Sequence, residues 1–208
     1  MEFNIKMIYY LYILIFEGYE VNLKVITNLN NFLFIGDSYT KRLADTIKAN
    51  NDNVYICASG GTTPGYWIDK VKDMPNTDDI EAIVLLIGTN GVLTQENIPD
   101  AKILINNICK QYPQKQIFIQ KVFPVGKNFY ENKSEVIFRN NAVKKYNEEI
   151  KNFCANKENI KIIDTTDNFI DDEGCLKFSS DGLHIDEEYY QNFYNNIFNA
   201  IKEFFSNL

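Results

Sequence analysis

Three residues of this chain have the types and spacing needed for acyl transfer. Ser38 ends the tripeptide GDS, and Asp181 and His184 bound the segment DGLH near the end of the chain. A serine hydroxyl that attacks an ester needs an imidazole to accept its proton and a carboxylate to fix the imidazole tautomer. The D-x-x-H spacing lets one loop carry both groups, with Gly182 permitting a tight turn. The sequence therefore predicts Ser38 as nucleophile, His184 as base and Asp181 as its orienting acid.

Two further polar segments could stabilise the oxyanion of a tetrahedral intermediate. SGGTT occupies residues 59–63, and the tripeptide GTN ends at Asn90. Loss of one oxyanion donor typically costs about 10²- to 10³-fold in rate. Suitable donors are the backbone N–H groups of Ser38 and Gly61 and the side-chain amide of Asn90, because glycine lets the backbone approach a ligand closely and asparagine is a neutral donor.

Each of these segments also has a purely structural interpretation. A GDS turn can cap the helix that follows it. Gly60 and Gly61 can form a strand-end loop, and Asn90 can be a left-handed turn residue before Gly91. A lone histidine near a helix start is more often a capping or surface residue than a base. The catalytic interpretation rests on the combination: three strand ends in order, plus the only histidine of the chain on a D-x-x-H loop.

The elements that must position these residues alternate regularly from residue 31 onward. Short apolar runs, interpreted as strands buried on both faces, occupy 31–35, 53–58, 82–87, 116–123 and 159–165. Amphipathic stretches predict helices at 40–49, 66–73, 98–111, 135–156 and 186–205. Because parallel strands need crossover connections, the alternation predicts a three-layer α/β/α sandwich. Such sheets bind ligands at the carboxyl ends of their strands, where the polar segments lie.

Composition argues against several other classes of function. The formal net charge is −7 and the basic residues are lysines apart from Arg42 and Arg139, so we expect no nucleic-acid partner. The four cysteines are widely separated and the chain has one histidine, so we expect no metal and no cofactor. A nucleotide-binding or redox module is disfavoured because the first run is followed by GDS, not by G-x-G-x-x-G, and no Gly-Lys-Ser/Thr loop is present.

The first 30 residues lie outside these motifs. Residues 7–16, MIYYLYILIF, are too few to span a bilayer but match the length of a signal-peptide apolar region. Glu2 precedes the run and no small-residue cleavage pattern follows it, so we interpret residues 1–30 as an added strand or hairpin. The alternatives are a targeting segment and a wrongly assigned translation start. We expect a cytoplasmic protein with no stable membrane span and one catalytic domain over residues 31–208.

The segments FIGDSYT, SGGTT, LLIGTN and DGLH resemble the four diagnostic blocks of the SGNH, or GDSL, hydrolases, in the family's order and at similar distances. This resemblance covers residues 31–208. It implies a flavodoxin-like sandwich with a five-stranded, mainly parallel sheet, and it assigns the triad and the oxyanion donors to the residues named above. Gly61 is preferred to Gly60 as the glycine donor because the family glycine is commonly followed two residues later by threonine, here Thr63.

The resemblance also implies the activity. We expect a carboxylic ester hydrolase that cleaves short-chain acyl esters, with O-acetyl groups on a carbohydrate as one substrate. An acyltransferase with the same triad and an inactive glycan-binding relative are the alternatives. The partner is then a small-molecule or glycan ester, and the oligomeric state stays open. Residues that could line the pocket are Asp37, Tyr39, Gly60, Thr63, Trp67 and Phe123.

Overall fold

The computed structural model of this protein describes residues 31–51 and 53–207, so the strand or hairpin expected within residues 1–30 lies outside the described residues. Five strands form one sheet in the order β2-β1-β3-β4-β5, and every neighbouring pair is parallel. The strands are β1 (Asn31–Gly36), β2 (Asn53–Ala58), β3 (Ala82–Leu86), β4 (Gln116–Gln120) and β5 (Ile160–Ile163). The predicted flavodoxin-like sheet is confirmed.

Helices cover both faces of this sheet, as predicted. They are α1 (Ser38–Asn50), α2 (Pro64–Trp67), α3 (Asn97–Gln111), α4 (Lys133–Cys154) and α5 (Tyr190–Ser206). Apolar residues of α1 and α5 pack on one face, and those of α2, α3 and α4 pack on the other. The strand order changes direction between β1 and β3, which places a crevice at their carboxyl ends.

Alternation along the central strands explains the two cores. In β1, Phe32 and Phe34 face α1 and α5, whereas Leu33 and Ile35 face α3 and α4. All four are fully buried, and each contributes about 1.5–3 kcal/mol relative to an exposed side chain. The strand end that carries the GDS turn therefore projects from the most tightly fixed part of the molecule.

Two predicted elements differ from the observed ones. The helix expected at 66–73 is wrong: α2 ends at Trp67 and a separate 3₁₀ turn occupies Val71–Asp73, because backbone N–H groups here bond three residues back. The strand expected to run to residue 123 ends at Gln120. Beyond it, the side chain of Asn147 takes both the N–H and the C=O of Val122, each at 2.9 Å, so no neighbouring strand can pair there.

The edge strands also depart from the expectation of burial on both faces. β2 is at most half-buried along its length, and β5 alternates with an exposed Lys161. Both strands lie at the margins of the sheet formed by the described residues, where each pairs with a single described strand. The long apolar stripe predicted on α4 is confirmed, since Val136, Val143 and Ile150 are buried.

The segment after β4 leads the chain back to the site. Asn140 on α4 pairs with the N–H and C=O of Val125, at 2.8 and 3.1 Å, in the same way that Asn147 pairs with Val122. The next residue, Gly126, donates its N–H to Gly182 O at 2.7 Å. Two asparagine side chains thus act as a substitute strand that supports a segment bonded to the DGLH loop.

Candidate active site

The turn between β1 and α1 presents Ser38 at the rim of the sheet. Asp37 caps α1, accepting a hydrogen bond from Tyr39 N–H at 3.0 Å, and its own N–H donates to Leu86 O at 3.1 Å. A Cβ at Gly36 would collide with Leu86 O, so only glycine allows β1 and β3 to approach here. Ser38 is half-buried in the first turn of α1.

His184 lies on a loop, residues 179–184, that contains neither helix nor strand. Gly182 adopts φ +72°, a left-handed conformation that favours glycine. The turn lets one oxygen of Asp181 accept the backbone N–H groups of Leu183 and His184, at 2.8 and 2.7 Å. Its other oxygen lies 2.8 Å from His184 Nδ1, and His184 Nε2 lies 2.7 Å from Ser38 Oγ. The structure therefore brings Ser38, His184 and Asp181 into one hydrogen-bonded chain.

Groups from outside the loop hold the base in this position. Four of the loop's carbonyl oxygens accept hydrogen bonds from donors elsewhere in the chain. The pairs are Asn128 Nδ2 with Ser179 O and Ser180 O at 3.1 Å each, Gly126 N–H with Gly182 O at 2.7 Å, and Tyr39 OH with Leu183 O at 2.5 Å. The loop is irregular in shape but closely specified by long-range contacts.

The charge state of Asp181 suits an orienting role. Burial acts to raise its pKa, but the hydrogen bonds from His184 and Leu183 outweigh burial and lower the pKa to about 2. The carboxylate is therefore ionised at neutral pH and can accept a hydrogen bond from His184 Nδ1–H, an arrangement that would leave Nε2 as an acceptor facing Ser38 Oγ. Arg42 Nη2 lies 3.4 Å from the Asp181 oxygen that faces His184 Nδ1 and places a positive charge beside it.

The two candidate glycine donors occupy different environments. A Cβ at Gly60 would lie 3.9 Å from Ser38 Cβ, so Gly60 lies against the nucleophile. Gly61 has φ +74° and a Cβ there would meet nothing within 4 Å. The turn that holds both glycines is fixed through Thr62, whose carbonyl accepts from Asn90 Nδ2 at 3.1 Å and whose hydroxyl accepts from Trp67 Nε1 at 3.1 Å.

A groove of about 760 Å³ opens at Ser38 between α1 and the start of α5. Of the residues predicted to line a pocket, Gly60 lies on this groove. Asp37, Tyr39, Trp67 and Phe123 are instead buried, with Tyr39 stacked on Phe123 at 5.3 Å, and Thr63 precedes α2 half-buried. The other lining residues are Lys41, Arg42, Asp45, Thr46, Glu187, Glu188, Tyr190 and Gln191.

The α1 side of this groove could have been found from the sequence. Lys41, Arg42, Asp45 and Thr46 follow Ser38 by three, four, seven and eight residues, which is the spacing of one helical face. The opposite wall had no such signal, because residues 187–191 approach Ser38 only through the tertiary fold. The described lining residues of the groove carry charged or polar side chains apart from Gly60, with Tyr190 adding an aromatic ring, and none of them is aliphatic.

Both the sequence and the fold of this chain are similar to those of known proteins. A model of the GDSL-like lipase/acylhydrolase family matches residues 15–191 of the chain. The chain belongs to this family. Among curated proteins, none matches the sequence at a significant level.

Solved structures of this GDSL-like acylhydrolase's fold come from several bacteria. A platelet activating factor protein of Streptococcus pneumonia superposes with a TM-score of 0.71 at 22% identity, over 86% of each chain. A GDSL-like lipase of Bacteroides thetaiotaomicron gives 0.67 at 18% identity, over 84% of this chain and 89% of its own. A family 3 carbohydrate esterase of Clostridium thermocellum gives 0.58 at 18%, over 82% and 94%. At these identities the superpositions establish a shared fold.

The described part of the chain contains neither a metal-binding cluster nor a helix that could span a membrane. Residues 31–51 and 53–207 hold no group of three or more histidine, cysteine, aspartate or glutamate side chains placed to bind a metal ion. None of the helices in these ranges is both long enough and apolar enough to cross a membrane.

Proposed function

We propose that this GDSL-like acylhydrolase is a serine esterase that cleaves short-chain acyl esters of a polar alcohol, with O-acetylated carbohydrate as the substrate class. The observation that carries the proposal is the hydrogen-bonded chain from Ser38 Oγ through His184 to Asp181. The same donors and acceptors are needed at each proton transfer of ester hydrolysis.

Ester cleavage at this site proceeds in two steps. Ser38 Oγ attacks the ester carbonyl while His184 Nε2 takes its proton, and the resulting tetrahedral intermediate collapses when Nε2 returns that proton to the leaving alcohol. A water molecule then attacks the acyl-enzyme, with His184 again as base, and releases the acid and free Ser38. Asp181 stabilises the imidazolium formed in each step and stays ionised throughout, in keeping with its low pKa.

The oxyanion would be bound by N–H groups at three strand ends. The Ser38 N–H and the Asn90 side-chain amide are two donors, and the proximity of Gly60 to Ser38 supports Gly60 N–H, in preference to Gly61 N–H, as the third. Replacing each glycine in turn by alanine, which adds one methyl group, distinguishes the two candidate donors. Gly60→Ala should lower kcat because its Cβ enters the space beside Ser38, whereas Gly61→Ala should mainly lower stability because its left-handed backbone is strained.

The groove supports the substrate class. Its walls combine lysine, arginine, aspartate, glutamate, threonine, glutamine and tyrosine side chains, whose polar groups suit the hydroxyl groups of a bound alcohol. A carbohydrate esterase is among the proteins with the same fold. We therefore place the alcohol in the groove and a short acyl group against the buried side of Ser38.

The deciding experiment is hydrolysis of p-nitrophenyl acetate and longer acyl homologues by the wild type, Ser38→Ala and His184→Ala, from about pH 5 to about pH 9. We expect turnover by the wild type that falls steeply with acyl length, and background rates for both variants. Full activity in Ser38→Ala would overturn the triad assignment. Adding alcohol acceptors and analysing the products distinguishes hydrolysis from acyl transfer, because a transferase would form a new ester.

A further inference from the structure

Arg139 is placed unusually for a chain that uses so little arginine. Only Arg42 and Arg139 are arginines, whereas the remaining basic residues are lysines. Both lie at the site: Arg42 contacts Asp181, and Arg139 Nη2 donates to Thr89 O at 2.9 Å. Arginine differs from lysine in its rigid, planar guanidinium group, which can stack and donate hydrogen bonds at once.

The hydrogen bond of Arg139 reaches the segment that carries Asn90, one of the proposed oxyanion donors. Thr89 immediately precedes Asn90, so the bond to Thr89 O fixes the peptide unit from which the Asn90 side chain extends. Thr89 and Asp37 line the same small cavity, so Thr89 also lies beside the nucleophile turn, residues 36–39, which carries Ser38. Thr89 therefore lies between the nucleophile turn and Arg139.

The guanidinium group of Arg139 also contacts the segment that packs on the loop carrying His184, residues 179–184, called the base loop. The guanidinium carbon lies 5.1 Å from the ring centre of Phe129, within the range of a cation–π contact. Phe129 packs directly on the base loop, because a Cβ at Gly182 would lie 2.6 Å from Phe129 N. One side chain thus connects the strand end that carries Asn90 with the loop that carries His184.

The buried position of Arg139 is not the one expected if this side chain served only to stabilise the fold. The Nε of Arg139 is buried and has no hydrogen-bond partner among the described residues. A buried cationic donor without an acceptor is unfavourable, and native structures usually avoid it. An apolar residue at this position could pack on Phe129 without that cost, but it could not bond to Thr89 O.

We propose that Arg139 is a positioning residue. It holds Asn90, a donor of the proposed oxyanion site, and the base loop at a fixed distance and orientation relative to each other. The inference rests on the proposed function of the same site. Displacing a catalytic group by about 1 Å can cost about a hundredfold in rate. Loss of Arg139 should therefore lower kcat while leaving KM nearly unchanged, since Arg139 does not line the groove.

The test compares Arg139→Met, Arg139→Lys and Lys145→Met with the wild type and Ser38→Ala. Lys145→Met removes one positive charge from an exposed position of the same helix and is the matched control. We expect Arg139→Met to lower kcat by about 10- to 100-fold with KM changed by less than about threefold. Arg139→Lys should recover only part of the loss, because lysine can remake the hydrogen bond but lacks the guanidinium group that lies over the Phe129 ring. Lys145→Met should match the wild type.

A second measurement keeps the inference separate from the proposed function. His184 is the only histidine, so its imidazole signals in a ¹H–¹⁵N spectrum are unambiguous. We expect Arg139→Met to shift or broaden both these signals and those of the Asn90 side-chain amide in the folded protein. Wild-type protein without esterase activity would overturn the proposed function, and the spectra would then decide the role of Arg139 alone. Unchanged spectra, or unchanged kcat in an active enzyme, would overturn the inference.

Discussion

The nucleophile turn, residues 36–39, and the base loop, residues 179–184, solve the same positioning problem by different means. The nucleophile turn joins a strand to a helix and is fixed by regular elements on either side, with Asp37 as the helix cap. The base loop has no regular structure, and its carbonyl groups are held by side chains and backbone groups from elsewhere. Local elements place the nucleophile, whereas long-range hydrogen bonds place the base.

Each region carries one aspartate, and the two carboxylates have opposite pKa shifts. Complete burial raises the pKa of Asp37 to about 6, although the hydrogen bond from Tyr39 N–H acts to lower it. Asp181 is more exposed and receives its hydrogen bonds from His184 and Leu183, and its pKa is lowered to about 2. Asp37 therefore acts as a buried structural cap, and Asp181 as the permanent anion that the proposed mechanism needs.

The largest expected effect comes from neutralising the anion of the base loop. Asp181→Asn keeps the side-chain shape but can hold the His184 ring in the wrong tautomer, so kcat should fall by about 10⁴-fold. Steady-state kinetics measure the loss. Asp172→Asn, an exposed residue, serves as the charge-matched control and should be silent. A loss below about tenfold for Asp181→Asn would mean that the loop does not orient the base as described.

A methyl group on the base loop should have the next largest effect. Gly182→Ala would place a Cβ 2.6 Å from Phe129 N at φ +72°, so the loop must shift and kcat should fall by about a hundredfold. Gly174→Ala has a similar φ of +75° but open space around the new Cβ. The control should show the cost of a left-handed alanine, about 1–3 kcal/mol in unfolding free energy, with activity retained. Equal activity in both variants would contradict the close packing of Phe129 on the loop.

Loss of the hydrogen bond from Tyr39 OH to Leu183 O, which joins the two regions, should lower kcat less than the two changes above. Tyr39→Phe removes the hydroxyl that donates to Leu183 O but keeps the stack on Phe123. Loss of one hydrogen bond of about 0.5–1.5 kcal/mol should lower kcat by about 3- to 10-fold. Tyr194→Phe, which removes a hydroxyl bonded to Asn51 at the far end of α1, is the matched control for kcat. If both variants have the same kcat, the Tyr39 hydroxyl does not position the base.

The smallest effect on activity is expected at Asp37, where stability is the informative measurement. Its folded-state pKa of about 6 lies above the usual aspartate value of 3.8. The folded state therefore binds a proton more tightly than the unfolded state, and stability falls as pH rises from about 4 to about 6. Asp37→Asn retains the oxygen that caps α1, so its unfolding free energy should lack this decline. Urea unfolding across that range measures the difference, and parallel pH profiles would contradict the raised pKa.

The sequence predicted the nucleophile side of the site more completely than the base side. The apolar run of β1 and the GDS turn are local signals, and they located both the sheet rim and the start of α1. The GDS turn was also interpreted as a possible cap of the following helix, and Asp37 of this turn caps α1. On the base side, D-x-x-H indicated which residues meet, but nothing in it indicated that Asn128, Gly126 and Tyr39 hold the loop. Those contacts join residues that are distant in sequence and have no periodic pattern.

The pocket residues show the same division. Tyr39, Trp67 and Phe123 were named as residues that could line the pocket, and in the structure they are buried. Their positions depend on how α1, α2 and the segment after β4 pack together. The groove residues on α1 follow a helical spacing that was available in the sequence, whereas those at 187–191 were not recognisable before the fold was known.

The amino-acid sequence by itself determined the parallel sheet, its helical layers and the identity of the groups that could act at Ser38, because periodicity and residue chemistry are local properties. Only the tertiary structure decided that Gly60 lies against the nucleophile, that Asn140 and Asn147 support the segment beside the base loop, and that Arg139 bridges Thr89 and Phe129. Those features depend on close approaches between residues far apart along the chain. Such approaches are set by packing to within a fraction of an ångström, and residue type and spacing do not specify them.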